Sequence, residues 1–230
     1  MSMDTIVIDE QIRIPAWVTD VESFLRWSHS PDFPERGRFG YLGGKLWVEL
    51  SMERLVHNQL KGEFNRVLGG LAKAEISATL TGLARSKGGI YLSDGMLLAN
   101  LAVELSTAPD GMYLAEDCLR KGRARLQEGD NSLEVLGTPD MTLEIVSQSS
   151  EEKDTVLLRR LYWEAGVREY WLVDSRVPEP QLDILRRGST KYLAVRRQGG
   201  WVKSAVFGNE FRLTRRESSL GVSEFTLDVR

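Results

Sequence analysis

Residues 138–174 read TPDMTLEIVSQSSEEKDTVLLRRLYWEAGVREYWLVD, and the order of patterns inside this stretch decides the fold. It opens with a short apolar run at 141–147, which predicts a strand whose side chains point alternately to its two faces. A helix follows over about 151–165. Ser149 or Ser150 is placed to cap it, Glu151 and Glu152 occupy its first turn, and Gly166 stops it. Residues 169–173, Glu-Tyr-Trp-Leu-Val, are strong strand formers and come directly after. Strand, helix, strand is one crossover unit, which calls for a parallel pair in a central sheet with helices packed on it. The class is α/β (α+β), a mixed central sheet flanked by helices with extra antiparallel strands.

Short apolar runs at 89–92, 96–98, 106–110, 111–115 and 133–136, punctuated by glycine, proline and acidic turns, add strands before the crossover. Further upstream, Leu60, Phe64, Val67, Leu68 and Leu71 recur at three- and four-residue spacing. They predict the core stripe of a long helix from Ser51 to about Ala74. Gly43-Gly44 between 38–42 and 45–50 predicts a tight hairpin. Thr19-Asp-Val-Glu22 reads as a capping box opening a short helix that ends near Trp27. Strands are expected at 181–185, 192–196, 201–204 and 225–227. These elements divide into an N-terminal extension (1–37), a core (38–185) and a C-terminal β extension on the same domain (186–230).

The chain has 230 residues, long enough to bury roughly 70% of its unfolded surface without staples. One cysteine, Cys118, excludes an internal disulfide framework and multi-cysteine metal sites. With only His29 and His57 available, any bound metal must be held mainly by oxygen. A net charge of −3 does not announce a nucleic-acid binder, although a local basic face can exist within it. The first residues, MSMDTIVIDEQIRI, carry acids and no unbroken apolar run, unlike a signal peptide. The longest apolar stretch, near 96–103, is interrupted by Asn100 and falls short of a membrane span. A soluble cytoplasmic protein with no membrane partner is the expectation.

Carboxylates carry the chemistry. Glu144 lies among Leu143, Ile145 and Val146, and alternation turns Glu144 and Val146 one way and Ile145 the other. A carboxylate in such company needs a partner, and a divalent cation is one candidate; the alternative is the solvent face of an edge strand. Asp110 and Asp140 both follow a proline. Asp140 and Glu144 stand four residues apart on one strand, roughly 13 Å between α-carbons at about 3.3 Å per residue. That is too far to clasp one ion. Asp110, on a neighbouring strand, can approach Glu144 side by side, and Asp140 reads as a turn residue.

The segments Thr138-Pro-Asp140, Leu143-Glu-Ile-Val-Ser147, Lys153-Asp154 and Leu161 to Asp174 closely resemble the Uma2 (DUF820) family of restriction endonuclease-like proteins, within the PD-(D/E)XK nuclease superfamily. The likeness is most specific in AGV-x-EYWLVD. It extends back through Pro109-Asp110 and His57 to about Gly44, two thirds of the chain. It implies a restriction-endonuclease-like core in which Asp110 and Glu144 ligate Mg²⁺ or Mn²⁺ with the Ile145 carbonyl, and DNA as the substrate. The superfamily's lysine, two residues after the acid, is replaced here by Val146. The helix position where relatives carry a basic residue is Leu158.

Lys153 is the best replacement, being in the first turn of the following helix and sharing a face with Leu157. A lysine there opposes the helix dipole, so another reason for its presence is expected. Arg160, seven residues on, is the reserve. His57 aligns with a family histidine, with Glu53 and Phe64 near its face, and Glu49 is a further candidate carboxylate. Tyr162, Tyr170 and Trp171 read as core aromatics. Basic pairs at 120–121, 159–160 and 196–197, with Arg123 and Arg125, are candidate phosphate contacts. The function expected is metal-dependent DNA endonuclease, with homodimerisation allowed. The alternative is a lapsed nuclease fold serving as a binding module.

Overall fold

The computed structural model describes residues 5–8, 12–73 and 88–230. In chain order, β1 (Thr5–Ile8) pairs with β2 (Ile12–Pro15), followed by α1 (Val21–Ser28), β3 (Arg38–Leu42), β4 (Leu46–Glu49) and α2 (Leu55–Ala72). Next come β5 (Gly89–Ser93), β6 (Leu97–Asn100), β7 (Leu105–Thr107), β8 (Gly111–Ala115), α3 (Glu116–Arg120), β9 (Ala124–Arg125) and β10 (Glu134–Gly137). The crossover consists of β11 (Met141–Val146), a π-helical segment (Lys153–Leu158) running into α4 (Arg159–Glu164), and β12 (Glu169–Asp174). The chain finishes with β13 (Gln181–Arg187), β14 (Tyr192–Ala194), β15 (Val202–Lys203), β16 (Glu210–Glu217) and β17 (Ser223–Val229).

The central sheet has the order β14-β13-β12-β11-β8-β5. Only β11 and β12 run parallel in it, in register from Met141 opposite Glu169 to Val146 opposite Asp174. The mixed sheet expected from the crossover is therefore present. Alternation along β12 explains how helices cover both faces. Trp171 meets Phe64 of α2 on one side, while Tyr170 meets Tyr162 of α4 on the other, with ring centroids 6.5 and 5.1 Å apart. A second sheet, β4-β3-β7-β6-β10-β9, carries the hairpin, where Gly43 and Gly44 take φ of +58° and +84° as a primed turn requires. Three strands, β15-β16-β17, form a further sheet, and α2 packs against β17 as well as β5 and β8.

Several expectations move. Helix α1 is capped by Asp20, with Ser23 closing the box, instead of Thr19 and Glu22. The box moves along by one residue, with Asp20 Oδ1 accepting the Ser23 N–H and the Ser23 hydroxyl oxygen accepting the Asp20 N–H. Helix α2 begins at Leu55, leaving 51–54 as a loop, and the expected end at Ala74 lies outside the described residues. The strand expected at 106–110 ends at Thr107, so Asp110 stands just ahead of β8. The helix after β11 carries a π turn, and β16 was not anticipated. Glu144 is not on an edge strand: β11 lies between β12 and β8, and Glu144 is 2% exposed. Among the described residues, no helix is long and apolar enough to cross a membrane.

Candidate active site

Register brings the acids together. Leu143 of β11 pairs with Gly111 of β8, so the next residues, Glu144 and Asp110, face each other at the carboxyl end of the parallel pair. That is the end where open α/β sheets place their ligands. Asp110 Oδ2 accepts the Ile145 N–H at 2.8 Å, and Oδ1 contacts His57 Nε2 of α2 at 3.1 Å. Next to Asp110, Gly111 leaves room for the Tyr91 ring of β5, because a Cβ there would lie 2.9 Å from Tyr91 Cζ and closer still to its hydroxyl.

Glu144 Oε1 accepts the Tyr162 hydroxyl at 2.7 Å. Its Oε2 lies 4.0 Å from Lys153 Nζ, which is itself 2.8 Å from Asp154 Oδ1. Asp110, His57, Glu144, Lys153 and Asp154 line one cleft of about 450 Å³ together with Glu49, Glu53, Arg38 and Arg176. Glu49, from the end of β4, accepts the Ser51 and Ser149 hydroxyls at 2.8 and 2.9 Å. Two further cations brace the entrance. Arg38 pairs with Glu53, and reaches Asp94 at 3.2 Å and Asp110 at 3.6 Å; buried Lys61 pairs with Glu53 and with Asp94 at 2.7 Å.

The facing carboxyls are driven in opposite directions. Burial pushes Asp110 up most strongly, but the His57 hydrogen bond and charge, the Ile145 N–H and Arg38 together outweigh it, leaving Asp110 below the usual range. For Glu144 burial prevails. The Lys153 ammonium pulls it down, Asp154 and Asp110 push it up, and it sits well above its ordinary value. Burial also raises Asp154 against the pull of Lys153. Lys153 is lowered by burial yet held above its ordinary value by Glu144 and Asp154. One ammonium thus serves two buried carboxyls.

The donor chemistry fits a hard divalent cation. Glu53, His57 and Asp110 each offer a ligand atom within 4.8 Å of the others. Carboxylate oxygens with one imidazole suit Mg²⁺ or Mn²⁺ better than softer metals. Glu144 is not one of those three; it faces Asp110 from the neighbouring strand and lines the same cleft.

Of the expected residues, Asp110, Glu144, Ile145, Lys153, His57 and Glu49 all line the cleft. Arg160 does not. It pairs with Glu164 at 3.1 Å on the surface, because the π turn rotates everything after Lys153 off the expected face. For the same reason Leu157 is only half-buried and Leu158 takes the inward place. Asp140 is more than a turn residue: fully buried, it accepts the Ala115 N–H and pairs with Arg123 and Arg168. The basic pairs do not line the cleft; Arg120, Lys121 and Arg197 are tied to Glu116, Asp117 and Asp183. Tyr162 and Tyr170 are core aromatics as expected, but their hydroxyls reach Glu144 and the Asp154 carbonyl. Arg38, Lys61 and Asp94 went unread. Lys61 left a trace, four residues after His57 and on the stripe of Phe64 and Leu68.

The profile of the Uma2 family, described as "Putative restriction endonuclease", matches residues 21–216, well beyond both ends of the stretch in which the resemblance was legible. A solved structure described as "a putative nuclease belonging to DUF820 from Anabaena variabilis ATCC 29413" is similar at 16% identity, with a TM-score of 0.57. The match covers 82% of this chain and 90% of that one, and shows a shared fold. No curated protein matches the sequence.

Proposed function

The chain belongs to the Uma2 family, and on that footing we propose that it is a metal-dependent endonuclease hydrolysing phosphodiester bonds in DNA. The observation that carries this reading is the meeting of Asp110, Glu144 and Lys153 in one cleft, with Lys153 Nζ 4.0 Å from Glu144 Oε2. Asp110, Glu144 and the Ile145 carbonyl would hold Mg²⁺ or Mn²⁺. When bound, such an ion polarises the scissile phosphate and lowers the pKa of a water. His57 orients the Asp110 carboxylate through its hydrogen bond. Lys153 supplies the ammonium that the superfamily places at the position of Val146. From the cleft wall it donates to a non-bridging phosphate oxygen or orients the attacking water, and it offsets the charge that builds in the transition state.

Tyr162 holds Glu144 in place by its hydroxyl. The alternative of a lapsed binding module draws on valine at position 146 and on the acidic net charge; Lys153 in the same cleft favours the catalytic reading over it. The test is cleavage of supercoiled plasmid and of single-stranded DNA by the purified protein, with Mn²⁺ and with chelator. Nicked or linear product in Mn²⁺ alone is expected; intact DNA despite bound Mn²⁺ would overturn the reading.

A further inference from the structure

Lys153 and Asp154 are consecutive, yet both are buried, at 8% and 1% exposed, and both line the cleft. In a regular α-helix of 3.6 residues per turn, neighbours point about 100° apart, and Lys153 would share its face with residues three and four along. Here Val156, three along, is 64% exposed, and Leu158, five along, is fully buried. The π turn has slid the inward face by one residue. Asp154 is anchored at both main-chain ends. Its N–H donates to the Ser150 carbonyl at 2.8 Å, and its own carbonyl accepts the Tyr170 hydroxyl from β12 at 2.8 Å. From that anchored backbone the Asp154 carboxylate lies 2.8 Å from Lys153 Nζ, while Glu144 is 4.0 Å from it.

We infer that Asp154 is a positioning residue that holds the Lys153 ammonium off Glu144, leaving Glu144 free for a divalent cation. This rests on the proposed metal-dependent reading and adds a division of labour within it. An ammonium on a flexible four-carbon stem, beside two buried carboxylates, goes to whichever is better placed. Without Asp154 it would close on Glu144 and compete there with the metal. Asp154 therefore acts through Lys153, and its loss should be undone by removing the lysine.

The experiment is Mn²⁺ titration calorimetry on the wild type, Asp154→Asn, Lys153→Met and the double variant, with thermal melts to establish folding. Asp154→Asn should bind Mn²⁺ about 10-fold more weakly, and the double variant should return to within about 2-fold of Lys153→Met. Tyr170→Phe, which loosens the anchor without entering the cleft, should weaken binding about 2- to 3-fold, again relieved by Lys153→Met, and it decides the matter if Asp154→Asn does not fold. Unchanged affinity in Asp154→Asn and Tyr170→Phe overturns the inference. So does a loss that Lys153→Met fails to repair, which would make Asp154 a ligand. Failure of the nuclease reading looks different: Mn²⁺ bound by the wild type without DNA cleavage, or no Mn²⁺ bound by the wild type at all, which removes the inference with it.

Discussion

The two ends of the β11–β12 pair bury carboxylates equally deeply and treat them differently. At the amino end, Asp140 is fully buried and takes the Ala115 N–H at 3.0 Å, Arg123 at 2.6 Å and Arg168 at 3.2 Å. Beside it Glu169, 1% exposed, accepts the Ser204 hydroxyl, the Trp171 indole and the N–H groups of Ala205 and Val206. At the carboxyl end Glu144 has one phenol and a lysine 4.0 Å away that is shared with Asp154. Burial alone does not mark a working site. What sets the proposed site apart is burial with few partners, a deficit that the proposed cation would make good.

The largest effect should separate the two ends by kind. Asp110→Asn and Glu144→Gln keep shape and remove ligand charge, so each should lower the cleavage rate by at least about 10³-fold while the protein still melts cooperatively. Asp140→Asn should leave the rate per folded molecule intact and cost about 2 kcal/mol in denaturant melts, a modest figure because Arg123 and Arg168 are partly exposed. A Glu144→Gln variant that cuts at the wild-type rate, or an Asp140→Asn variant that cannot cut once folded, would break the comparison.

Next in size is the ammonium. Lys153→Ala should lower the rate by about 10²-fold, with Mn²⁺ affinity barely changed. Adding Val146→Lys in that background should recover part of the loss, since Val146 also lines the cleft. Normal cutting by Lys153→Ala would remove the residue from the chemistry.

A smaller and more diagnostic effect concerns pH in metal-free protein. Glu144 sits above its ordinary 4.5 in the folded state, so its contribution to stability is present below that value and lost as pH rises through the raised one. Asp110 is the converse: held below its ordinary 3.8, it stabilises above that value and loses this as pH falls through the lowered one. Glu144→Gln should therefore melt higher than wild type at pH 8, by about 1 kcal/mol of stability, with the gain fading toward pH 4. A destabilised Glu144→Gln at pH 8 would contradict the assignment of Glu144 as an under-partnered charge. The last prediction concerns DNA affinity: with a net charge of −3 it should be modest and must come from phosphate contacts, so binding should fall steeply with added salt. Salt-independent binding would remove that electrostatic account.

Local pattern made half of the site legible. Alternation in Met141–Val146 turned Glu144 and Val146 together, and the side-by-side approach expected of Asp110 is the one that register provides, although Asp110 leads into β8 instead of ending the strand before it. The strand–helix–strand order of residues 138–174 likewise announced the parallel pair. What stayed hidden depends on contacts distant in sequence. The π turn is accompanied by a hydrogen bond from Tyr170 sixteen residues on, which no helical periodicity encodes, so Arg160 was expected on the wrong face. Aromatic character identified Tyr162 as core, but which atom its hydroxyl would meet was set by packing. The Arg38–Glu53–Lys61–Asp94 network joins three separate parts of the chain, each unremarkable alone.

Because Val146 and Lys153 open onto the same cleft, one ammonium has two addresses in the gene. A lineage can exchange them by first acquiring the second lysine and only later losing the first, so no generation need carry a cleft without a cation. The strand address is read by counting two residues from the acid. The helix address escapes any such count, and a search that insists on spacing would set aside a chain that carries its cation there, as we propose for Lys153.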